Sequence, residues 1–180
     1  MFLMKYFAFF LSLLFFLQAE AQTISTDIDS IIQLVTPTSY RQHFDSLPVK
    51  PTSFRKVTES STQSPDHDGC RDYIFRQLKN YLGEDNVYLH SFEENNCGGL
   101  TNVIGIKKGR NPEKGIIVVS AHYDTNNSRV EEETNCSPGA NDNGTGIAAI
   151  LEIARIVSNI DTECSILFTA WDLEEQYTNG

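Results

Sequence analysis

Apolar residues recur at helical spacing in three parts of the 180-residue chain. The first stripe is short and predicts a helix over about 27–34, after which Pro37 and Pro48 are expected to break regular structure. A start signal of Pro and Asp followed by an apolar stripe predicts a second helix over about 65–82. The longest stripe, over residues 147–157, predicts a third helix that residues 142–146 lead into and that ends at about residue 158.

Four further stretches have the periodicity of strands. Residues 87–92 alternate apolar and polar side chains, as a half-buried strand does, and residues 101–107 form a second strand. Residues 116–121 and 165–171 are uninterrupted apolar runs, which predict strands buried on both faces. Such strands lie in sheets with helices on both sides. The predicted fold class is therefore α/β, a three-layer sandwich with a mixed, mostly parallel central sheet.

The N-terminal segment has a different pattern. Lys5 is followed by an apolar run over residues 6–17 and by Ala19-Glu20-Ala21, which together form the pattern of a secretory signal peptide. The run is too short for a comfortable transmembrane helix, and no later stretch is long enough. We expect a signal peptide over 1–21, a lead-in segment over 22–65 and a folded domain over 66–180. The mature protein would then be secreted or periplasmic, without stable membrane insertion.

The net charge bears on the class of partner, and the cysteines bear on possible disulfides. The formal net charge of −10 argues against nucleic-acid binding, which requires a basic surface, and it does not define an oligomeric state. Export permits disulfides, and the four cysteines allow three full pairings. We expect Cys97 and Cys136, placed in polar loops, to be the better candidates for pairing, and Cys164 to be a buried thiol.

Polar groups cluster where the two apolar strands are predicted to end and where the third helix begins. Residues 122–125 follow the first of these strands, residues 138–144 precede the helix, and residues 172–175 follow the second strand. Ligands bind at the carboxyl ends of the strands in open α/β sheets. We therefore expect the three groups to converge at one edge of the sheet.

These residue types fit a zinc centre. His122 and Asp142, with one glutamate of the Glu174-Glu175 pair, are ligands that zinc accepts in catalytic sites, and the other glutamate can act as a base. So many carboxylates are costly together without cations, which favours a metal and is compatible with two ions. Each residue alone has a simpler explanation: a loop histidine, a turn aspartate at 124, a helix N-cap at 142, or a solvated glutamate pair. Their joint placement favours the metal site.

Three strings in this order resemble metallopeptidase family 28: VVSAHYDT, SPGANDNGTGIAAILEIARI and SILFTAWDLEEQ. These dizinc exopeptidases include secreted aminopeptidases and relatives of glutaminyl cyclase. The resemblance covers about residues 70–180 and is strongest over 115–176. It implies a zinc exopeptidase fold of the phosphorylase/hydrolase type, two zinc ions and a peptide or protein substrate. Residues 66–180 would form the N-terminal part of a metallo-exopeptidase catalytic domain, with aminopeptidase as the expected type.

The resemblance also implies a role for each residue of the site. His122 would ligate one zinc ion, Glu175 the other, and Asp142 would bridge both. Asp124 would orient His122 from behind, and Glu174 would be the general base that takes a proton from water. Family members carry two further ligands, an Asp and a His, beyond the part that this chain contains. We therefore expect the chain to be incomplete and inactive by itself.

Other functions remain open at this point. A glutaminyl-peptide cyclotransferase-like enzyme would use the same fold with one zinc ion, although residues 141–146 resemble the peptidase pattern more closely. A non-catalytic binding module would keep the fold without the metals. The acidic run over 131–133 is a third and weaker possibility, as a calcium site, because three consecutive glutamates are usually just solvated.

Overall fold

The computed structural model describes residues 26–48, 65–94, 97–125 and 139–175. The predicted signal peptide, Cys136 and the acidic run over 131–133 lie outside these ranges, so the expectations for them stay predictions. The described residues fall into two compact units divided after Gln33, and the first contains helix α1, Thr26–Ile32. Within the described ranges, no helix combines the length and apolarity needed to cross a bilayer.

The second unit begins with a helix that the sequence did not predict. Helix α2, Pro37–Ser46, follows Thr36, whose hydroxyl oxygen accepts the backbone N–H of Ser39 at 3.1 Å. Pro37 stands in the first turn, where backbone N–H groups have no partner within the helix, so the missing N–H costs nothing. The expectation that Pro37 breaks regular structure was therefore wrong, because a proline at this position starts a helix.

The remaining elements follow the predicted order. Helix α3, Pro65–Leu82, ends at Gly83, whose φ of 91° is in the left-handed region that glycine adopts readily. Helix α4 spans Thr145–Val157. The four strands are β1, Val87–Glu94; β2, Cys97–Lys107; β3, Ile116–His122; and β4, Ser165–Trp171. Two short 3-10 helices, Glu84–Asn86 and Pro112–Lys114, precede β1 and β3.

The strands form one mixed sheet in the order β1-β2-β4-β3. The two apolar strands, β3 and β4, are parallel neighbours, whereas β2 pairs with β1 and with β4 in antiparallel sense. Chain direction therefore makes β3 and β4 end at the same edge, with His122 opposite Trp171. This pairing places the segments that follow both strands side by side.

The core lies between one face of the sheet and helices α3 and α4. Alternate residues of the strands face the helices, and Phe168 at the centre of β4 is fully buried. Gly105 in β2 lets α3 approach the sheet closely, since a Cβ at this position would lie 2.8 Å from Leu82 Cδ1. The other members of this core include Ile74, Leu78, Val103, Ile147, Leu151, Ile166 and Ala170.

Strand β3 is less buried than its apolar run predicted. Ile116, Ile117 and Val118 are 66%, 51% and 54% exposed, because β3 is an edge strand of the described sheet and α4 covers one of its faces. Burial on both faces is therefore found only towards its end, at Ala121 and His122.

The cysteine environments also differ from expectation. Cys97 begins β2 and is buried beside Leu100 and Leu173, so it does not lie in a polar loop. Cys164, expected to be buried, is half-buried before β4. Since Cys136 lies outside the described residues, the expectation that it is a candidate for pairing stays a prediction.

A buried polar cluster joins α2 to α4. Glu152 is 2% exposed and binds Arg155 through two contacts of 2.8 Å, while Ser39 donates its hydroxyl to Glu152 Oε1 at 2.6 Å. His43 lies 3.9 Å from the same carboxylate and contacts the hydroxyls of Tyr73 and Tyr81, each at 3.2 Å. These polar groups satisfy one another, so α2 packs on the domain through hydrogen bonds as well as apolar contacts.

This cluster predicts that acidification destabilises the fold. Burial lowers the pKa of His43 below 6.5, and the hydrogen bonds from Arg155 lower the pKa of Glu152 below 4.5. In both cases the unfolded chain binds protons more readily, so stability is lost as pH falls, first below 6.5 through His43 and then below 4.5 through Glu152. Urea unfolding from pH 7 to pH 4 measures this loss. His43→Gln should reduce the loss of stability that begins below pH 6.5. An unchanged pH profile in that variant would contradict the assignment to His43.

Candidate metal centre

Three segments meet at the carboxyl ends of β3 and β4. His122 is the last residue of β3, and the Asp172-to-Glu175 segment follows β4 directly. A short helical turn, Ala140–Gly144, brings Asp142 to the same edge just before α4 begins. The structure therefore brings together the three polar groups that were expected to converge because ligands bind at the carboxyl ends of strands.

The His122 imidazole is the centre of this cluster. Its Nε2 lies 3.0 Å from Asp142 Oδ1 and 3.8 Å from Glu174 Oε2. Its Nδ1 lies 3.2 Å from the backbone carbonyl oxygen of Asp124 and 3.4 Å from Asp124 Oδ1. Oxygen acceptors at Nδ1 hold the proton on that nitrogen, so in the neutral ring Nε2 carries the lone pair that faces the carboxylates.

Asp124 ties the end of β3 to the turn after β4. Its side chain is fully buried, and its two carboxylate oxygens accept the backbone N–H groups of Glu174 at 3.3 Å and Glu175 at 3.1 Å. The same carboxylate faces His122. Asp124 therefore holds the histidine and both glutamates in a fixed relation.

Asp142 projects towards His122 and does not cap the following helix. Its side chain is 73% exposed, and its backbone is non-helical. The capping contact is made instead by Asn143 Oδ1, which accepts the N–H of Gly146 at 3.0 Å. Gly146 permits this approach, because a Cβ there would collide with the Asn143 amide. The simpler explanation of Asp142 as a helix N-cap is therefore wrong.

The site is rich in negative charge. Burial lowers the pKa of His122, but the hydrogen bond and charge of Asp124, aided by Glu174 and Asp142, outweigh it and raise the pKa to about 9. Burial and the charges of Asp142, Asp124 and Glu174 raise the pKa of Glu175, against the opposing effect of His122. The raised pKa of His122 and the raised pKa of Glu175 both indicate a site that attracts positive charge.

The donor set fits a zinc ion. One donor atom each from His122, Glu174 and Glu175 lie within 4.8 Å of one another, and Asp142 adds a carboxylate at the same histidine. Imidazole nitrogen and carboxylate oxygen are zinc ligands of catalytic sites, where an incomplete protein ligand set leaves room for water or substrate. The described residues thus offer enough donors for a catalytic type of centre.

Sequence reasoning missed a buried hydrogen-bonded group directly behind the site. It consists of Asp172, Tyr123 and His67, and Asp172 Oδ1 accepts from His67 Nε2 at 2.8 Å, while Oδ2 accepts from the Tyr123 hydroxyl at 2.7 Å. His67 and Tyr123 are both fully buried. Asp172 and Tyr123 immediately follow apolar strands, which was a usable signal, whereas nothing in the local sequence marks His67.

The candidate site lies in a part of the chain that matches a known protein family. Residues 102–180, which contain all the candidate ligands, match the model of peptidase family M28. Over those residues the chain is similar to peptidase family M28. The match confirms the family that the three sequence strings resemble.

Two proteins that are similar to this chain are named as peptidases. Aminopeptidase YwaD of Bacillus subtilis is 41% identical over 75 residues, which are 41% of this chain and 15% of that protein. A probable zinc metalloprotease of Pyricularia oryzae is 28% identical over 174 residues, which are 89% of this chain and 34% of the relative. The chain therefore spans at most about a third of the length of these two relatives.

Solved structures confirm the fold class. A Zn-dependent exopeptidase from Parabacteroides distasonis superposes with a TM-score of 0.61 at 22% identity, over 77% of this chain and 47% of that one. A glutaminyl cyclase from Tannerella forsythia gives the same TM-score at 21% identity, with the same coverage. The α/β fold with a mixed sheet and flanking helices is thus that of zinc exopeptidases and glutaminyl cyclases.

Proposed function

We propose that this chain is part of a family M28 peptidase and supplies part of the active site of an exported zinc-dependent exopeptidase, with an aminopeptidase as the expected type. The observation that carries the proposal is the convergence of His122, Asp142, Glu174 and Glu175 at the carboxyl ends of β3 and β4. The signal-peptide pattern of residues 1–21 supports export to a secreted or periplasmic location. The peptidase activity is proposed for the complete protein.

The proposed zinc ligands are Asp142, Glu175 and His122, which would bind through its Nε2 atom. Asp142, whose Oδ1 lies 3.0 Å from His122 Nε2, would be the ligand that the two ions share. Two ions would compensate a cluster that combines Asp142, Glu174 and Glu175 with the buried Asp124. A bound zinc ion supplies Lewis-acid chemistry, because it lowers the pKa of water and polarises a carbonyl group.

The other residues orient groups and move protons. Asp124 keeps the proton on His122 Nδ1, so that Nε2 stays available as a ligand. Glu174, half-exposed beside His122, is the proposed general base, which takes a proton from the attacking water and returns it to the leaving amine. The surroundings of the two glutamates differ, because Glu174 is 50% exposed with its Oε2 3.8 Å from His122 Nε2, whereas Glu175 is half-buried.

Two measurements test this proposal. The chain should bind zinc in a chelator-sensitive way, and the complete protein should hydrolyse aminoacyl-p-nitroanilides, lose activity with chelator and regain it with zinc. About two equivalents of zinc in the complete protein would support the bridging role of Asp142. A protein that binds no zinc would instead be a binding module of this fold, and the proposal would be rejected.

A glutaminyl cyclase-like activity is the second candidate, because proteins of that name share the fold. Cyclisation of a peptide with N-terminal glutamine, assayed beside aminoacyl-anilide hydrolysis, separates the two. The peptidase proposal expects hydrolysis without cyclisation. Cyclisation with a single zinc equivalent would favour the cyclase.

A further inference from the structure

The carboxylate of Asp172 is buried and fully occupied by hydrogen bonds. Its Oδ1 accepts from His67 Nε2 at 2.8 Å and from the backbone N–H of Leu173 at 3.0 Å. Its Oδ2 accepts from the backbone N–H of Thr101 at 2.8 Å and from the Tyr123 hydroxyl at 2.7 Å. A carboxylate offers about four acceptor positions, so these donors leave Asp172 no lone pair for a metal.

The donors come from three different parts of the fold. His67 lies in the first turn of α3, Thr101 lies in β2, and Tyr123 directly follows β3. The backbone N–H of Asp172 also donates to Asn102 Oδ1 at 2.9 Å. Asp172 therefore fastens the end of β4 to three neighbouring elements at once.

The segment held in this way turns sharply. Leu173 has a φ of 67°, a left-handed conformation that is unfavourable for leucine, and its side chain is buried beside Cys97 and Leu100. Immediately after this turn, Glu174 and Glu175 direct their backbone N–H groups to Asp124. Such a conformation persists where surrounding contacts enforce it, and the Asp172 hydrogen bonds are those contacts.

We propose that Asp172, together with Tyr123 and His67, is a positioning group that fixes the turn carrying Glu174 and Glu175 against His122. The group does not touch substrate or metal. It acts through the backbone of the two glutamates, so its removal changes their geometry and thereby the affinity of the site for zinc. The link to zinc rests on the proposed function, whereas the positioning of the turn does not.

The test uses Tyr123→Phe, which removes one hydroxyl, and Asp172→Asn, which disrupts the pattern of acceptors. The control is Tyr81→Phe, which removes the same atom from a contact with His43 between α3 and α2. In the metal-free chain, both test variants should speed hydrogen exchange of the Glu174 and Glu175 amides by about tenfold or more. Zinc affinity, measured by competition with a chromophoric chelator, should fall about 10- to 100-fold. The control should change neither.

Each outcome decides the proposal. Should Asp172→Asn fail to fold, Tyr123→Phe carries the test alone. Unchanged amide exchange in Tyr123→Phe overturns the positioning role, as does a loss of thermal stability equal to that of Tyr81→Phe with no effect on the two amides. If the complete protein binds no zinc, the proposed function fails, and the exchange rates still decide whether Asp172 positions the turn.

Discussion

Replacing Asp142 by asparagine is expected to weaken zinc binding by about 100-fold while leaving the fold intact. The carboxylate lies 3.0 Å from His122 Nε2, and the proposed bridge depends on both of its oxygens and its charge. Because the side chain is 73% exposed, the substitution removes no buried contact. Isothermal titration with zinc and thermal unfolding without zinc measure the two effects separately.

The matched control is Asp161→Asn, an exposed aspartate that precedes β4. Asp161 precedes the start of β4, whereas Glu174 and Glu175 follow its end. The variant removes the same charge as Asp142→Asn and should leave zinc affinity unchanged. If both variants weakened zinc binding equally, net charge rather than ligation would be responsible. If Asp142→Asn bound zinc like the wild type, Asp142 would not be a ligand.

Glutamine substitutions at the adjacent glutamates are expected to have different effects. Glu174→Gln should lower kcat of the complete protein by about 10²- to 10⁴-fold with zinc still bound, because the amide cannot accept the proton. Glu175→Gln should lower zinc affinity, and excess zinc should restore part of the rate. Each variant is the control for the other, because both replace a carboxylate by an amide of the same size.

Zinc content and steady-state kinetics of the two variants distinguish the roles. If Glu174→Gln lost zinc while Glu175→Gln kept it, the assignments would have to be exchanged. If both lost zinc, both glutamates would be ligands, which is possible because a donor atom of each lies within 4.8 Å of a His122 ring nitrogen. A full rate in Glu174→Gln would remove the general base from the mechanism.

Some elements of this fold are determined by the local sequence, and others depend on neighbours that are distant in the sequence. The bounds of β4 were predicted to the residue, because its apolar run is bordered by polar residues on both sides. Helix α2 was missed because Pro37 was interpreted by its effect inside a helix, not at its first turn. The exposure of β3 was missed because burial depends on which neighbours a strand has, and periodicity does not contain that information.

The candidate site also contains residues that could be predicted from the sequence and residues that could not. The convergence of His122, Asp142 and Glu174 could be predicted, because the ends of parallel strands meet at one edge. The contact between His67 and Asp172 joins residues 105 positions apart, and no spacing rule connects them. Residues next to the reacting groups were thus accessible from the sequence, whereas those that hold them in place required the fold.

The exposed edge of β3 has a consequence for self-association. Residues 116–119 are Ile-Ile-Val-Val, with high β-propensity and no charge, and within the described sheet no strand pairs with the outer edge of β3. Unpaired backbone groups next to such side chains form a template for intermolecular strand addition. The solubility of this chain at high concentration should therefore be limited by β3, and a lysine in place of Ile117 would act as a gatekeeper against aggregation.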